Sequence, residues 1–139
     1  MTMAQLTEHF TWEELAVCRH CGGHCPDRTK IMYLALKLED LRYKMGNRPI
    51  GVTSGWRCAE RQMELFKEAG RKGMPATRSG FHPRGLAADL RVPPAQQPQW
   101  VGPARDAGFA GIELTKDHLH LDLRPVPWFA DRRKLKADS

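Results

Sequence analysis

No stretch of this sequence is apolar enough to cross a bilayer. Hydrophobic residues make up 41% of its 139 positions, yet no run approaches the roughly 18 that a spanning helix needs. Membrane insertion is therefore not expected. The opening Met1 to Phe10 has neither the basic start nor the apolar segment of a secretory signal, so the chain is expected to be cytoplasmic as synthesised. Internal repeats, low-complexity tracts and Gly/Ser linkers are missing as well. One domain over residues 1–139 is the expectation, because the length suffices for one core and not for two.

Acidic residues are in deficit, 16 against 22 Lys and Arg, and the formal net charge is +6. That balance suits an anionic partner, with nucleic acid and the acidic bacterial wall both qualifying. The run Asp131-Arg132-Arg133-Lys134-Leu135-Lys136 falls in a segment, 129–139, that reads as a solvated basic tail. Cysteine is scarce, four in all, but Cys18, Cys21 and Cys25 lie close together with His20 and His24, and Cys58 stands further on. Such density fits a structural metal site, a pair of disulfides, or free buried thiols, and the spacing leaves all three open.

Helical and strand patterns alternate along the chain. Thr11 with Glu14 three residues on starts a short helix through Leu15. Ile31, Leu34, Leu38 and Leu41 mark a long helix from Thr29 to Met45, stopped by Gly46-Asn47. Residues 49–55 read as a strand ending in a turn. A third helix runs from Glu60 to Ala69 with Gly70 closing it, and residues 73–83 have loop chemistry. Leu86 to Val92 is strand-like, Gln99 to Ala107 helical with Gly108 as its stop, and Ile112 to Leu114 and Leu119 to Leu123 alternate as strands do. In the last, Leu119, Leu121 and Leu123 would face the core, and His118, His120 and Asp122 the other side. The sum is an α+β domain with a small, mostly antiparallel sheet flanked by helices.

Residues able to hold a metal recur in this frame. His82 and Asp89 are separated by a turn that Gly85 permits, and His120 lies on the polar face of another strand. Two imidazoles and a carboxylate, with a fourth position left to solvent, are how a hydrolytic zinc centre is built. The triad closes if the two strands are neighbours in the sheet.

The order His-x-x-Gly-x-Ala-x-Asp followed by Asp-x-x-His resembles peptidase family M15, zinc D,D-carboxypeptidases and L-alanyl-D-glutamate endopeptidases that cleave bacterial peptidoglycan stem peptides. His82, Gly85, Ala87 and Asp89 match the first motif, and Asp117 and His120 the second. Upstream, Thr53-Ser54-Gly55-Trp56-Arg57 is similar to the family's Ser-Gly-Tyr-Arg, with Trp56 in place of tyrosine. The run from Phe10 through Cys21 and Gly22, and Leu119 to Arg124 with Trp128 after it, resemble the short phage and prophage branch.

The resemblance implies a zinc ion held by His82, Asp89 and His120, Asp117 as general base, and Arg57 for substrate and oxyanion. It also implies the fold shared with the Hedgehog signalling domain. The family's serine two residues before the first ligand is Gly80 here, and Ser79 is the candidate for that substrate contact. His118 and His120 could chelate as an i, i+2 pair, but only His120 stands three residues after Asp117. The implied function is zinc-dependent peptidoglycan hydrolysis by a monomer, in phage or prophage lysis or wall remodelling, after release or within a virion. One rival is a catalytically silent, zinc-containing wall-binding module of the same fold. A nucleic-acid-binding protein built on the Cys/His cluster and basic tail is another, and a steep salt dependence of DNA binding would mark it.

Overall fold

In the computed structural model, which describes residues 4–71 and 81–134, helices precede and interleave with five short strands. The order is α1 (Trp12–Ala16), α2 (Arg28–Lys44), β1 (Val52–Ser54), α3 (Ala59–Arg71), β2 (Ala87–Leu90), α4 (Pro98–Ala107), β3 (Gly111–Leu114), β4 (Leu119–Asp122) and β5 (Trp128–Asp131), with a 3-10 turn at Pro94–Gln96. The fold is α+β, as the sequence pattern predicts. Among the described residues, no helix is long and apolar enough to cross a membrane.

Local chemistry sets most of the boundaries. The Thr11 side chain accepts from the Glu14 amide at 3.3 Å while Glu14 accepts from the Thr11 amide at 2.9 Å, a complete capping box for α1. Asp27 accepts from the Lys30 amide at the start of α2. That helix stops where Gly46 and Asn47 take positive φ angles, 76° and 60°. Gly70 is a difference from expectation. It lies inside α3, one residue short of Arg71, since a glycine in a last turn weakens a helix by only about 1 kcal/mol.

The strands lie in the order β1-β2-β4-β3-β5. The first three pairings are antiparallel, while β3 and β5 run parallel. β5 has no counterpart in the sequence expectation, which takes the chain from 129 onward as a tail. Pro125 and Pro127 read as a turn, and the strand exposes Phe129 while half-burying Trp128 and Ala130, the pattern of an edge. Residues 135–139 of that tail lie outside the described residues.

Register assigns the two faces of the sheet. Leu90, Leu119 and Leu114 form one row across β2, β4 and β3, and Ala88, Leu121 and Ile112 the next. All six are buried and join Ile31, Leu34, Ala35, Leu38 and Leu41 of α2 and Trp100, Ala104 and Ala107 of α4 in a single core. The α2 positions repeat at helical spacing, so one stripe of that helix covers the sheet. Truncating a buried leucine in such a stripe, as in Leu38→Ala, costs about 2–5 kcal/mol. The opposite face carries the polar rows.

Candidate active site

Period-two alternation turns Asp89, His120 and Glu113 to the face away from the helices, and register sets them side by side. Asp89 is opposite His120, and His120 is opposite Glu113, on neighbouring strands β2, β4 and β3. A shift of register within β1 places Ser54 beside Asp89 at the end of the same row. The condition set by the sequence, that the strands of Asp89 and His120 be neighbours, is met.

His82 arrives from a turn rather than a strand. Residues 82–85 reverse the chain, with Gly85 at φ 74° and its amide bonded to the His82 carbonyl at 3.1 Å. A Cβ at Gly85 would also lie 3.0 Å from the Cys25 sulfur, so glycine is favoured both by conformation and by space. Trp56 fastens this turn to the segment after β1, its indole N–H donating to the Pro83 carbonyl at 2.8 Å. A tyrosine hydroxyl would reach differently, which gives the Trp56 departure from the family pattern a structural role.

Three donor atoms converge. Nε2 of His82 and Nδ1 of His120 lie 3.2 and 3.0 Å from Oδ1 of Asp89, and the three residues are buried. Together they form a group whose possible ligand atoms lie within 4.8 Å of one another. Metal bonds of about 2.0–2.2 Å imply donor separations of about 3.3–3.6 Å in a tetrahedron, close to those found. The remaining nitrogens are anchored. Nδ1–H of His82 donates to the Gly55 carbonyl at 2.7 Å, which leaves Nε2 as the lone pair facing Asp89. Nε2 of His120 lies 2.7 Å from Asp122, which leaves Nδ1 for the centre.

Asp122 is itself held. Arg124 grips both its oxygens at 2.8 and 2.7 Å, and the guanidinium stacks over Trp128 at 4.3 Å and Phe81 at 5.1 Å. Gly111 makes room for this pair, since a Cβ there would come within 2.0 Å of an Asp122 oxygen. Orientation thus passes from Trp128 through Arg124 and Asp122 to the His120 ring.

Charge opposes burial, and it prevails at Asp89 and His120. Burial would raise the Asp89 carboxyl, but His82, His118 and His120 around it hold it well below the usual carboxylate range. In His120 burial pulls downward, and its hydrogen bonds to Asp122 and Asp89 raise it to about 9. Burial lowers His82 against the pull of Asp89. Toward a metal, His82 would therefore offer a neutral imidazole, and His120 would have to give up a proton.

Arg57 closes the group from the segment after β1. Its Nη2 donates to Asp89 and reaches Nε2 of His82 at 3.0 Å, while Nε donates to the Ser54 hydroxyl at 3.0 Å. The guanidinium stands on the lone pair that a metal would take, so Arg57 would have to release His82 for His82 to serve as a ligand.

These residues line a cavity of about 620 Å³, whose wall also includes Glu113 and His118. His118, half-buried, has Nε2 3.5 Å from Asp89. It stands beside the donor group, and His120 is the imidazole within it. Asp117 lies in the turn before β4, exposed, with its amide on the Thr115 hydroxyl, and is not among the cavity residues. Ser79 lies outside the described residues. Sequence reasoning missed Glu113, a carboxylate only 2% exposed on the cavity wall, and the anchoring role of Asp122. The signal for Glu113 was a charged residue between two apolar ones on a strand buried on both faces.

The cysteines divide. All four are free, and Cys18, Cys21 and Cys58 cluster. Cys25 does not join them. It is buried in the core beneath Gly85, its sulfur 3.7 Å from the Asp27 carbonyl, and burial pushes its thiol pKa up.

A family model described as Peptidase M15 matches residues 8–122. No curated protein is similar enough to match the chain.

Proposed function

The chain belongs to peptidase family M15, and from that membership we propose that it is a zinc-dependent peptidase hydrolysing peptide bonds of bacterial peptidoglycan stem peptides. The observation that carries this reading is the convergence of His82, Asp89 and His120 on one cavity wall, with the second nitrogen of each imidazole already engaged. Two nitrogens and one oxygen are a donor set suited to zinc with an open position. Zinc bound there supplies a Lewis acid that activates water and polarises a carbonyl at neutral pH.

The protein's own groups then divide the work. Arg57, an always-charged fork of donors, meets a substrate carbonyl or carboxylate once it leaves His82. Proton transfer to the leaving amine needs a carboxylate at the cavity. The family pattern offers Asp117. Its exposure on the turn, against the burial of Glu113 beside His120, favours Glu113 for that step.

Phage or prophage lysis, or remodelling of the wall, is the setting this activity suits, with a monomer acting on the wall after release or within a virion. Two bonds are in reach of such a centre. Removal of a terminal D-alanine makes a D,D-carboxypeptidase, and cleavage between L-alanine and D-glutamate an endopeptidase. Incubation with defined muropeptides, with and without chelator, read by mass spectrometry, distinguishes them. Cleavage that stops on chelation and returns with zinc is expected. Binding to cell wall without cleavage of any muropeptide would instead establish a silent binding module.

A further inference from the structure

Residues 18–25 fold into a closed knuckle. The Cys18 amide donates to the Gly23 carbonyl at 2.7 Å and the Gly22 amide returns to the Cys18 carbonyl at 2.8 Å, with Gly22 at φ 76°. Val17 and His24 bridge its base. The knuckle is brought to the chain after β1 by the Trp56 amide, which donates to the Leu15 carbonyl at 2.8 Å. Cys18 and Cys21 from the knuckle thereby meet Cys58, the residue immediately before α3.

The three sulfurs lie within 4.8 Å of one another, and those of Cys18 and Cys58 are 3.9 Å apart. A tetrahedral ion with metal–sulfur bonds of about 2.3 Å needs sulfurs about 3.8 Å apart. Backbone amides already point at two of them. Gly23 donates to Cys21 and Arg61 to Cys58, each at 3.4 Å, and the second contact sits at the start of α3. Three thiolates around a divalent ion leave one net negative charge, and Arg19 and Arg61 stand on the same rim to offset it.

We propose that Cys18, Cys21 and Cys58 form a second metal site, for zinc or another thiophilic divalent ion, that fastens the 18–25 knuckle to the first turn of α3. Its fourth position goes to a donor that is not cysteine, because Cys25 is committed to the core. The site forms part of the rim of the cavity described above, to which Cys18 and His20 contribute. It fixes Cys58, and with it the neighbouring Arg57. The inference does not depend on the peptidase reading, since it rests on a separate set of donors.

The test is metal content of the full chain purified under reducing conditions, in the parent and in Cys21→Ser and His82→Ala. The parent is expected to hold two ions per chain and each variant one. Cobalt loading of the parent supplies a readout that does not depend on a variant folding: a sulfur-to-cobalt charge-transfer absorption is expected. Cobalt bound with no such absorption would overturn the proposal. So would one ion per chain with four alkylatable thiols, or a mass lower by two hydrogens that marks a Cys18–Cys58 disulfide.

Discussion

The two groups of side chains in this protein that could hold a metal are built by different means. His82, Asp89 and His120 draw on sheet register: two of the three sit on neighbouring strands, all are buried, and each imidazole is held from behind. Cys18, Cys21 and Cys58 come from a knuckle and a helix start, and range from buried to exposed. A sheet holds donors in place before any ion arrives. A loop gains its order from the ion, so metal contributes more to its folding. The first arrangement suits chemistry, where geometry must survive turnover, and the second suits fastening.

The largest effect expected on this comparison is from His120→Ala, which should remove one metal and abolish peptide cleavage while the thiol site stays filled. His118→Ala, two residues away on the same face, should keep both ions. Metal analysis showing the reverse order would assign the ligand to His118. Next comes the carboxylate. Glu113→Gln should retain zinc and lose about 10²-fold or more in turnover, the usual contribution of a positioned proton-transfer group. Asp117→Asn should lose about tenfold or less; if the two exchanged places in a stem-peptide assay, the family pattern would outweigh position.

Smaller changes probe the support behind each group. Asp122→Asn takes the charged partner from Nε2 of His120 and should weaken zinc affinity by about 10–100-fold, measured by competition with a chelator. Loss at the thiol site should be absent. Cys25→Ser is the mildest case, with metal content unchanged and about 1–3 kcal/mol lost in denaturant unfolding, from a hydroxyl placed where a buried sulfur packed. A drop of one metal ion in that variant would return Cys25 to the cluster.

The legibility of these features in the sequence follows from how local they are. Helices α1 and α2 carry their caps, and α2 and α4 their glycine stops, within a few residues, and β4 declares its two faces by alternation, with Leu119 and Leu121 buried in the core as expected. His82 and Asp89 are linked by one turn. Strand order is not local: only the placing of β4 between β2 and β3 puts Glu113 beside His120. The same gap hid β5, whose parallel pairing with β3 passes over β4 and whose outward Phe129 disguises the alternation. Among the cysteines, spacing alone treats Cys25 like Cys21. Folding separates them, because the Cys25 amide bonds back to Ala16 and carries its side chain beneath Gly85 into the core.

Anomalous diffraction at the zinc absorption edge, from crystals of the full chain grown with zinc, tests the sheet-built centre most directly. One peak should lie among Nε2 of His82, the Asp89 carboxylate and Nδ1 of His120, with Arg57 drawn away from His82. A peak held by His118 in place of His120, or no peak between those three residues, would contradict it.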